Sequence, residues 1–327
     1  MREDNMIREI QFEGMPFALS AVCLGCARFG GDYDEARSFG LLDRYYAMGG
    51  RFFDTANVYG RWSKRGFNES ELTLGRWLKA RRITDAVITS KCCHYAPDAR
   101  DVSRVNRASA EADLEESRRS LGLDTIPIYL THRDNPAVDI RVIVDFLWDM
   151  VKAGRVARFG FSNYKADRVR AALDYLGPEW RKVMAGVSNE WSLHAACLTA
   201  DAGGEREAPD GMVTTGRSLE ALHREKKLPL LAFAASGGGF YSKLAEGRIS
   251  FEKAGAADRE AMEKLKTLSD ERGVSLGALS LAWVLNAGLP AVPISAVSDE
   301  RQLEDFEAAS AWTEDLSWLS PLYEGGK

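Results

Sequence analysis

The sequence predicts an α/β protein that forms a closed (β/α)8 barrel, or TIM barrel, as a single domain over residues 1–327, with a β-hairpin ahead of the barrel. Eight short apolar runs alternate with segments of helical period. The length is ordinary for a barrel with insertions, and no linker or low-complexity tract divides the sequence. Alternating strands and helices imply parallel strands joined by right-handed crossovers, and eight such units favour closure.

The individual elements follow from the spacing of apolar residues. Short continuous runs predict buried strands at Ala21–Leu24, Arg51–Asp54, Ala86–Ser90, Ile126–Leu130, Arg158–Phe161, Val183–Val187, Leu228–Phe233 and Leu289–Ile294. Apolar residues at three- and four-residue spacing predict helices at Asp34–Met48, Glu69–Ala80, Ser109–Leu121, Ile140–Ala153, Lys165–Leu176, Ser218–Lys226, Arg259–Arg272 and Leu276–Ala287. An open doubly wound sheet is the alternative. It would place a G-x-G-x-x-G turn after its first strand, which this sequence lacks.

Three further segments complete the predicted architecture. Ile7–Phe12 and Pro16–Leu19, separated by Gly14, are expected to form a hairpin at the N-terminal end of the barrel. His194–Thr215 is rich in Gly, Ala and Asp, has no clear period, and predicts a long loop after the sixth strand. Gly273–Ser298 carries no charge, but Asn, Gly and Pro interrupt it, so we expect a buried helix and then a buried strand instead of a membrane span.

Composition and charge argue against several classes of function. With 43 basic and 48 acidic residues, the net charge is −5, so the sequence lacks the excess positive charge typical of nucleic-acid binding. It also has no polybasic run of the kind that binds a membrane surface. The charged N-terminus has no apolar stretch of a signal peptide, so we expect a cytoplasmic protein. The odd cysteine count predicts reduced thiols. Because Cys23 and Cys26 fall on a predicted strand and only four histidines are present, we expect no metal site.

Polar side chains stand where the predicted strands end. Asp54, Lys91 and His132 each close an apolar run, and Ser162–Asn163 closes another. Tyr59 follows Asp54 by five residues, in a loop that can fold back over the end of the barrel. Since the carboxyl ends of barrel strands converge on one mouth, these side chains are expected to form a single site.

These residue types suit the reduction of a carbonyl group by a hydride. The reaction needs a proton donor at the developing alkoxide, and the phenol of Tyr59 can donate it. A free phenol has a pKa of about 10, so the Lys91 ammonium is expected to lower that pKa by stabilising the phenolate. Asp54 would keep Lys91 charged, and His132 would orient the carbonyl oxygen or share proton delivery. Ser162 and Asn163 can hold a carboxamide such as that of nicotinamide.

Five motifs in this order resemble those of the aldo-keto reductase superfamily, in a bacterial branch, over nearly the whole sequence. They are Phe53–Gly60, which reads FDTANVYG; Asn68-Glu69 followed by Leu74-Gly75 and Leu78; Lys91; His132–Asp134; and Gly154-Arg155-Val156 with Gly160–Asn163. The resemblance implies an NADPH- or NADH-dependent oxidoreductase that interconverts carbonyls and alcohols. It also implies that Asp54, Tyr59, Lys91 and His132 are its catalytic tetrad.

The resemblance also identifies residues for the dinucleotide. Ser188 and Phe233 stand where the family often has a Gln for the carboxamide and a Tyr that stacks on nicotinamide; serine still forms hydrogen bonds and phenylalanine still stacks.

The remaining dinucleotide residues lie further along the sequence. The Gly237, Gly238 and Gly239 turn can bring N–H groups close to pyrophosphate. Ser298 and Arg301 fall in the segment for the adenosine phosphate. Arg301 favours NADP(H), with NAD(H) as the other cofactor.

The predicted mouth loops suggest the substrate. Trp62, His94, Arg133 and Trp191 are candidate pocket walls. The loop after Tyr59 adds three cations and two aromatic rings, which favours a small polyhydroxylated compound such as a sugar or polyol over a steroid or long-chain aldehyde.

Other readings of the sequence remain open. One is a dinucleotide-binding regulatory subunit with little turnover, and another is a barrel lyase with a Schiff base at Lys91. A homo-oligomer is compatible with the sequence.

Overall fold

Eight parallel strands close into a barrel in the computed structural model, which describes residues 6–202 and 211–321. Two-residue strands β1 (Glu9–Ile10) and β2 (Leu19–Ser20) pair ahead of the barrel. The barrel strands are β3 (Cys23–Gly25), β4 (Phe52–Asp54), β5 (Val87–Cys92), β6 (Ile126–Thr131), β7 (Val156–Ser162), β8 (Met184–Ser188), β9 (Leu230–Ala232) and β10 (Ala291–Ser295). The predicted barrel, its eight strands and the preceding hairpin are confirmed.

Helices connect the strands, and each predicted helix is present with ends within three residues of the prediction. The helices are α1 (Glu35–Ala47), α2 (Glu69–Arg81), α3 (Arg107–Leu121), α4 (Ile140–Lys152), α5 (Ala166–Leu176), α6 (Trp180–Val183), α7 (Leu193–Asp201), α8 (Arg217–Lys226), α9 (Phe240–Ala245), α10 (Ala256–Arg272), α11 (Leu276–Asn286) and α12 (Arg301–Ala311). Asp34 and Asn106 cap α1 and α3 by accepting hydrogen bonds from the amides three residues on.

The long loop predicted at His194–Thr215 is wrong in its first part, because α7 occupies Leu193–Asp201. The Ser192 side chain caps this helix by accepting a hydrogen bond from the Ala195 amide at 3.1 Å. Most of the helix is buried, so its sequence lacks the alternation of apolar and polar faces that marks a surface helix. Residues 203–210, in the middle of the predicted loop, lie outside the described residues.

Contacts divide the fold into two compact units. Residues 10–19 with 23–187 form the first, named here the tetrad unit. In it, β4 to β7 pair in parallel register, with Asp54 opposite Thr89 and Lys91 opposite Leu130. The carboxyl ends of these strands therefore align, and the polar residues that close them share one end of the sheet.

Helices α2 and α3 of the tetrad unit pack closely. A Cβ atom added at Gly75 would lie 2.0 Å from the Ser120 carbonyl oxygen, so no larger residue fits there without movement. The fully buried Glu71 of α2 accepts hydrogen bonds from Ser90 of β5 and from Asn68. This carboxyl group ties α2 to the strand that carries Lys91.

Residues 6–9, 20–22, 188–202 and 211–321 form the second unit, named here the C-terminal unit. Its strands β9 and β10 pair in parallel, with Val292 opposite Leu231. The uncharged stretch from Gly273 to Ser298 forms the buried helix α11 and then strand β10, as predicted. Among the described residues, no helix is both long and apolar enough to cross a membrane.

Candidate active site

Asp54 and Lys91 form a buried ion pair at the ends of β4 and β5. The Lys91 Nζ atom donates to Asp54 Oδ1 at 2.7 Å, to Oδ2 at 2.8 Å and to the Thr55 carbonyl at 2.9 Å. Burial alone would lower the pKa of Lys91, but the Asp54 carboxylate and Tyr59 raise that pKa above its ordinary value. Burial in turn raises the pKa of Asp54 against the opposing effect of Lys91. The ammonium is thus kept charged.

Tyr59 lies half-buried over this pair, with Lys91 Nζ 5.0 Å from the centre of its ring. Burial raises the pKa of the Tyr59 phenol, and the Lys91 ammonium lowers it by less. Lys91 acts on this pKa in the expected direction, but the loss of water around the hydroxyl outweighs the attraction of the cation, so the pKa lies above its ordinary value. Tyr59 is protonated at neutral pH, which is the form that donates a proton.

His132 closes β6 beside Tyr59, and their ring centres are 5.6 Å apart. Burial, and then the Lys91 charge, hold the pKa of His132 well below its usual range, so the imidazole is neutral. Its buried Nδ1 atom has no hydrogen-bond partner among the described residues. A neutral ring with an unused buried nitrogen suits a group that meets a ligand.

Ser162 ends β7 in the same unit, Asn163 follows it, and both are buried. The Asn163 Nδ2 atom donates to the His132 carbonyl and to Ser162 Oγ, each at 3.1 Å. Asn163 has a φ of 64°, a left-handed conformation that asparagine tolerates better than most residues. The structure thus brings Ser162 and Asn163 next to the backbone of the tetrad residue His132.

Three of the predicted substrate residues surround the tetrad, within the tetrad unit. Trp62 is 54% exposed and its ring meets Tyr59 edge-on at 5.9 Å. The His94 ring lies 4.7 Å from that of His132. Arg133 donates to the His132 carbonyl at 2.9 Å.

Trp191, the fourth predicted substrate residue, is a core residue of the C-terminal unit. It is 1% exposed, lies 4.6 Å from the Trp283 ring and donates to Glu220. This packing favours a structural role over the predicted pocket wall, since the large ring fills the interior of its own unit.

The first two predicted dinucleotide residues of the C-terminal unit differ in burial. Ser188 ends β8, and its buried Oγ atom has no partner among the described residues. A buried hydroxyl without a partner fits a ligand amide, which can both donate and accept. Phe233 is half-buried after β9, so part of its ring is free to stack.

The glycine turn follows in the same unit. Gly237, Gly238 and Gly239 have φ values of 58°, 64° and 73°. A side chain would be strained at all three positions, so the turn requires glycine.

After β10, Ser298 is half-buried and Arg301 is exposed. The Ser298 amide donates to the Gln302 side chain at 2.6 Å, which fixes the turn into α12. Arg301 is the first residue of α12 and has Asp299 and Glu300 immediately before it. These carboxylates weaken the positive field that Arg301 offers to a phosphate.

Sequence reasoning missed polar groups that support this site from α2 and α3. Glu71 is one, and the Asp113 carboxylate is another, since it accepts from the Cys93 amide at 2.9 Å and pairs with Arg104 at 2.6 Å. These two contacts of Asp113 hold the turn from Lys91 to His94 in place. Glu71 lies on α2 and Asp113 on α3, both away from the strand ends in sequence, so no local pattern marked them.

Potential metal ligands are dispersed in the described part of the chain, and the cysteines are buried. In the described part of the chain, no three His, Cys, Asp or Glu residues lie close enough to hold a metal ion. All five cysteines are buried and free. Burial raises the pKa of the Cys23 and Cys26 thiols well above the ordinary value, so neither is a ready thiolate.

The chain is similar to known proteins over most of its length. The model of the aldo/keto reductase family matches residues 21–315. The chain is 28% identical to the uncharacterized oxidoreductase YrpG of Bacillus subtilis, over 94% of this chain and 93% of that protein. It is 24% identical to the aldo-keto reductase yakc of Schizosaccharomyces pombe, which is named for NADP(+), over 91% and 84% of the two chains.

A solved structure also shares the fold. The glycerol dehydrogenase AKR11B4 from Gluconobacter oxydans superimposes with a TM-score of 0.72 at 20% identity, over 94% of this chain and 91% of that one. At this identity the likeness shows the barrel. Because the family model covers most of the sequence, the conclusion is direct: this chain belongs to the aldo/keto reductase family.

Proposed function

We propose that this protein is an NAD(P)(H)-dependent oxidoreductase that interconverts a carbonyl and an alcohol by hydride transfer, with Tyr59 as the general acid and base. The observation that carries the proposal is the buried pair of Asp54 and Lys91 beneath the protonated phenol of Tyr59. Burying a charged pair costs free energy unless the two groups are well placed for each other. Buried charges beside a proton donor are typical of functional sites, and this pair lies beside Tyr59. Membership of an oxidoreductase family supports the same assignment.

The protein's own groups divide the work as follows. When bound, the reduced nicotinamide ring supplies the hydride to the carbonyl carbon. Tyr59 donates its hydroxyl proton to the carbonyl oxygen as the C–O bond gains negative charge, and the phenolate that remains is stabilised by Lys91. Asp54 keeps Lys91 charged and in position. Neutral His132 orients the carbonyl oxygen by donating a hydrogen bond. For oxidation of an alcohol, each proton moves in the reverse direction.

The residues present fit a nicotinamide dinucleotide. Within the tetrad unit, the Ser162–Asn163 pair suits a carboxamide. Within the C-terminal unit, the orphaned buried Oγ atom of Ser188 suits a ligand group that forms hydrogen bonds. We propose Phe233 for stacking on the nicotinamide ring. For the pyrophosphate we propose Gly237, Gly238 and Gly239, and for the adenosine phosphate Ser298 and Arg301. NADP(H) is proposed over NAD(H), on the charge of Arg301. A metal is not needed, because the phenol supplies the proton and the ammonium stabilises the charge.

A small polyhydroxylated substrate is the proposed class. Tyr59 is surrounded by Trp62, His94 and Arg133, which combine aromatic faces with polar groups. The glycerol dehydrogenase with the same fold acts, by its name, on a polyol. A cytoplasmic location, a single domain and possible assembly into a homo-oligomer stay predictions.

A spectrophotometric assay tests the proposal. The full chain is incubated with NADP(H) or NAD(H) and a panel of aldoses, ketoses, polyols, apolar aldehydes and steroid ketones, and the reduced-nicotinamide absorbance is followed. We expect turnover, with the highest kcat/KM for polyhydroxylated compounds. Dinucleotide binding without turnover of any compound would instead indicate a regulatory subunit. Higher kcat/KM for the apolar set would overturn the substrate class alone.

A further inference from the structure

A cavity of about 580 Å³ opens beside the tetrad, inside the tetrad unit. The loop after β4, the loop after β5 and helix α3 line it. We name it the lateral cavity, and its polar lining comprises Asn57, Arg61, His94, Arg104, Asp113 and Glu116, together with Lys91 and the rim residue Asp98. Its volume falls in the range of small-molecule sites.

The cations that line the lateral cavity are already neutralised. Arg61 pairs with Glu116, and Arg104 pairs with Asp113 at 2.6 Å. Lys91 is held by Asp54 at 2.7 Å. A phosphate or carboxylate ligand would have to break one of these pairs, and the exposed Asp98 carboxylate at the rim would repel it. The lining therefore favours a ligand without charge.

Two lining groups still have an acceptor to offer. The His94 Nδ1 atom lies 2.9 Å from the Tyr95 carbonyl, which can only accept, so Nδ1 carries the proton. Burial lowers the pKa of His94 to about 4, so the ring is neutral and Nε2 is an acceptor. Glu116 Oε2 accepts from Asn57 and Arg61, whereas Oε1 accepts from none of the described residues. Both atoms suit the O–H groups of a ligand.

The lateral cavity adjoins the reacting groups. The His94 ring contacts the His132 ring, with 4.7 Å between centres. Asn57 and Val58, both in the lining, directly precede Tyr59 in the chain, and Lys91 belongs to both the lining and the tetrad. A substrate whose carbonyl carbon lies at Tyr59 can therefore extend its remaining carbons into this space.

We propose that the lateral cavity binds the distal hydroxyl groups of a neutral polyol or sugar, with His94 Nε2 and Glu116 Oε1 as the specificity-determining acceptors. This inference rests on the proposed function, and it assigns the protein groups that select the chain length of the substrate. A three-carbon substrate would not fill the cavity, whereas a five- or six-carbon polyol would.

The test compares glycerol, xylitol and sorbitol in the full chain with its preferred dinucleotide. His94→Phe keeps a ring against His132 but removes the acceptor, and Glu116→Gln removes the charge. Each is expected to lower kcat/KM for xylitol and sorbitol by about five- to tenfold, mainly through KM. His94→Phe loses one hydrogen bond to a hydroxyl, and Glu116→Gln replaces a bond to a charged acceptor by a weaker bond to a neutral amide oxygen. The loss for glycerol should be smaller, so that the ratio of kcat/KM for sorbitol to that for glycerol falls by about fivefold.

Glu115→Gln is the matched control, since Glu115 lies on the same helix but pairs with Arg118 and Arg155 away from the cavity. It should leave all three substrates unchanged. An equal loss for glycerol and sorbitol in the His94 and Glu116 variants, or no loss for either, would overturn the inference. Because Glu116→Gln could loosen Arg61, circular dichroism and thermal midpoints verify folding, and His94→Phe provides the independent second variant.

Binding without turnover separates this inference from the proposed function. Saturation-transfer NMR measures sorbitol on the full chain, with and without the His94→Phe change. If no compound is turned over with either dinucleotide, yet sorbitol binds and His94→Phe abolishes that binding, the cavity assignment holds and the proposed function fails. If turnover occurs but both variants keep the wild-type preference for chain length, the cavity assignment fails alone.

Discussion

Lys91 Nζ lies 2.7 Å from Asp54 Oδ1, in an ion pair whose side chains are only 3% and 6% exposed. The two residues are 37 positions apart and meet because β4 and β5 are adjacent parallel strands. The pair places a positive charge beneath Tyr59 in surroundings that exclude water. Its removal should therefore affect both stability and catalysis.

Lys91→Met should destabilise the protein by about 3 kcal/mol or more, because it leaves the Asp54 carboxylate buried without its partner. It should also lower kcat at least about a hundredfold, since the phenolate loses its counter-charge. Urea unfolding and steady-state kinetics measure the two effects. Lys152→Met, which removes an exposed pair with Asp149, is the control and should cost about 1 kcal/mol at most. Equal stability of the two variants would contradict a structural role for the buried pair.

Tyr59→Phe should lower kcat by about two to four orders of magnitude, because the ring remains but the proton donor is lost. The dissociation constant for the dinucleotide should stay within about twofold, as the hydroxyl acts on the substrate oxygen. Tyr46→Phe removes a hydroxyl bound to Asp85 on the surface and should retain activity. A Tyr59→Phe enzyme with near-wild-type kcat would show that another group donates the proton.

Glu71→Gln should change how stability depends on pH. Burial raises the pKa of Glu71 from 4.5 to about 7, so the folded state favours the protonated acid. The protonated Glu71 therefore contributes fully to the free energy of unfolding below about pH 4.5, and this contribution is lost as the pH rises through about 7. The difference between the two pKa values corresponds to about 3 kcal/mol. The glutamine cannot ionise, so the variant should gain stability relative to wild type between pH 5 and pH 8.

The measurement is the free energy of unfolding in urea at each pH, for wild type and Glu71→Gln. Glu115→Gln serves as the control, because Glu115 is partly exposed and ion-paired and its pKa is lowered. Parallel pH profiles for wild type and Glu71→Gln would mean that Glu71 does not titrate in this range.

Arg301→Ala should weaken NADP(H) binding by about threefold and leave NAD(H) binding unchanged. The effect is small because Arg301 is exposed, where an ion pair contributes about 1 kcal/mol or less, and because Asp299 and Glu300 precede it. Fluorescence titration with both dinucleotides measures it, and NAD(H), which lacks the 2′-phosphate, is the internal control. Tighter binding of NAD(H) by the wild type would overturn the proposed preference.

Dialysis against excess chelator should leave turnover unchanged. The proposed reaction takes its proton from Tyr59 and its charge stabilisation from Lys91, so no Lewis acid is required. Turnover before and after dialysis, with a metal analysis of the sample, provides the measurement. Activity that disappears and returns on addition of one metal would contradict the mechanism.

Helix α11 and strand β10 are predictable from the sequence because an uncharged segment favours burial. Helix α12 is not predicted, because the sequence around Ser298 and Arg301 resembles a phosphate-binding segment. Helix α7 was read as a loop because most of its residues are buried, which hides the helical period.

By itself, the sequence determined the order of strands and helices and which polar residues close the strands, because burial imposes a period on apolar residues and strand ends are local features. Only the tertiary structure decided how those residues act on one another. The net pKa of Tyr59 depends on how much water its loop excludes, and Trp191 proved to be core because Trp283 packs on it. The partners Arg61 and Glu116 stand 55 residues apart, so their pairing beside the tetrad exists only once loop and helix are folded together.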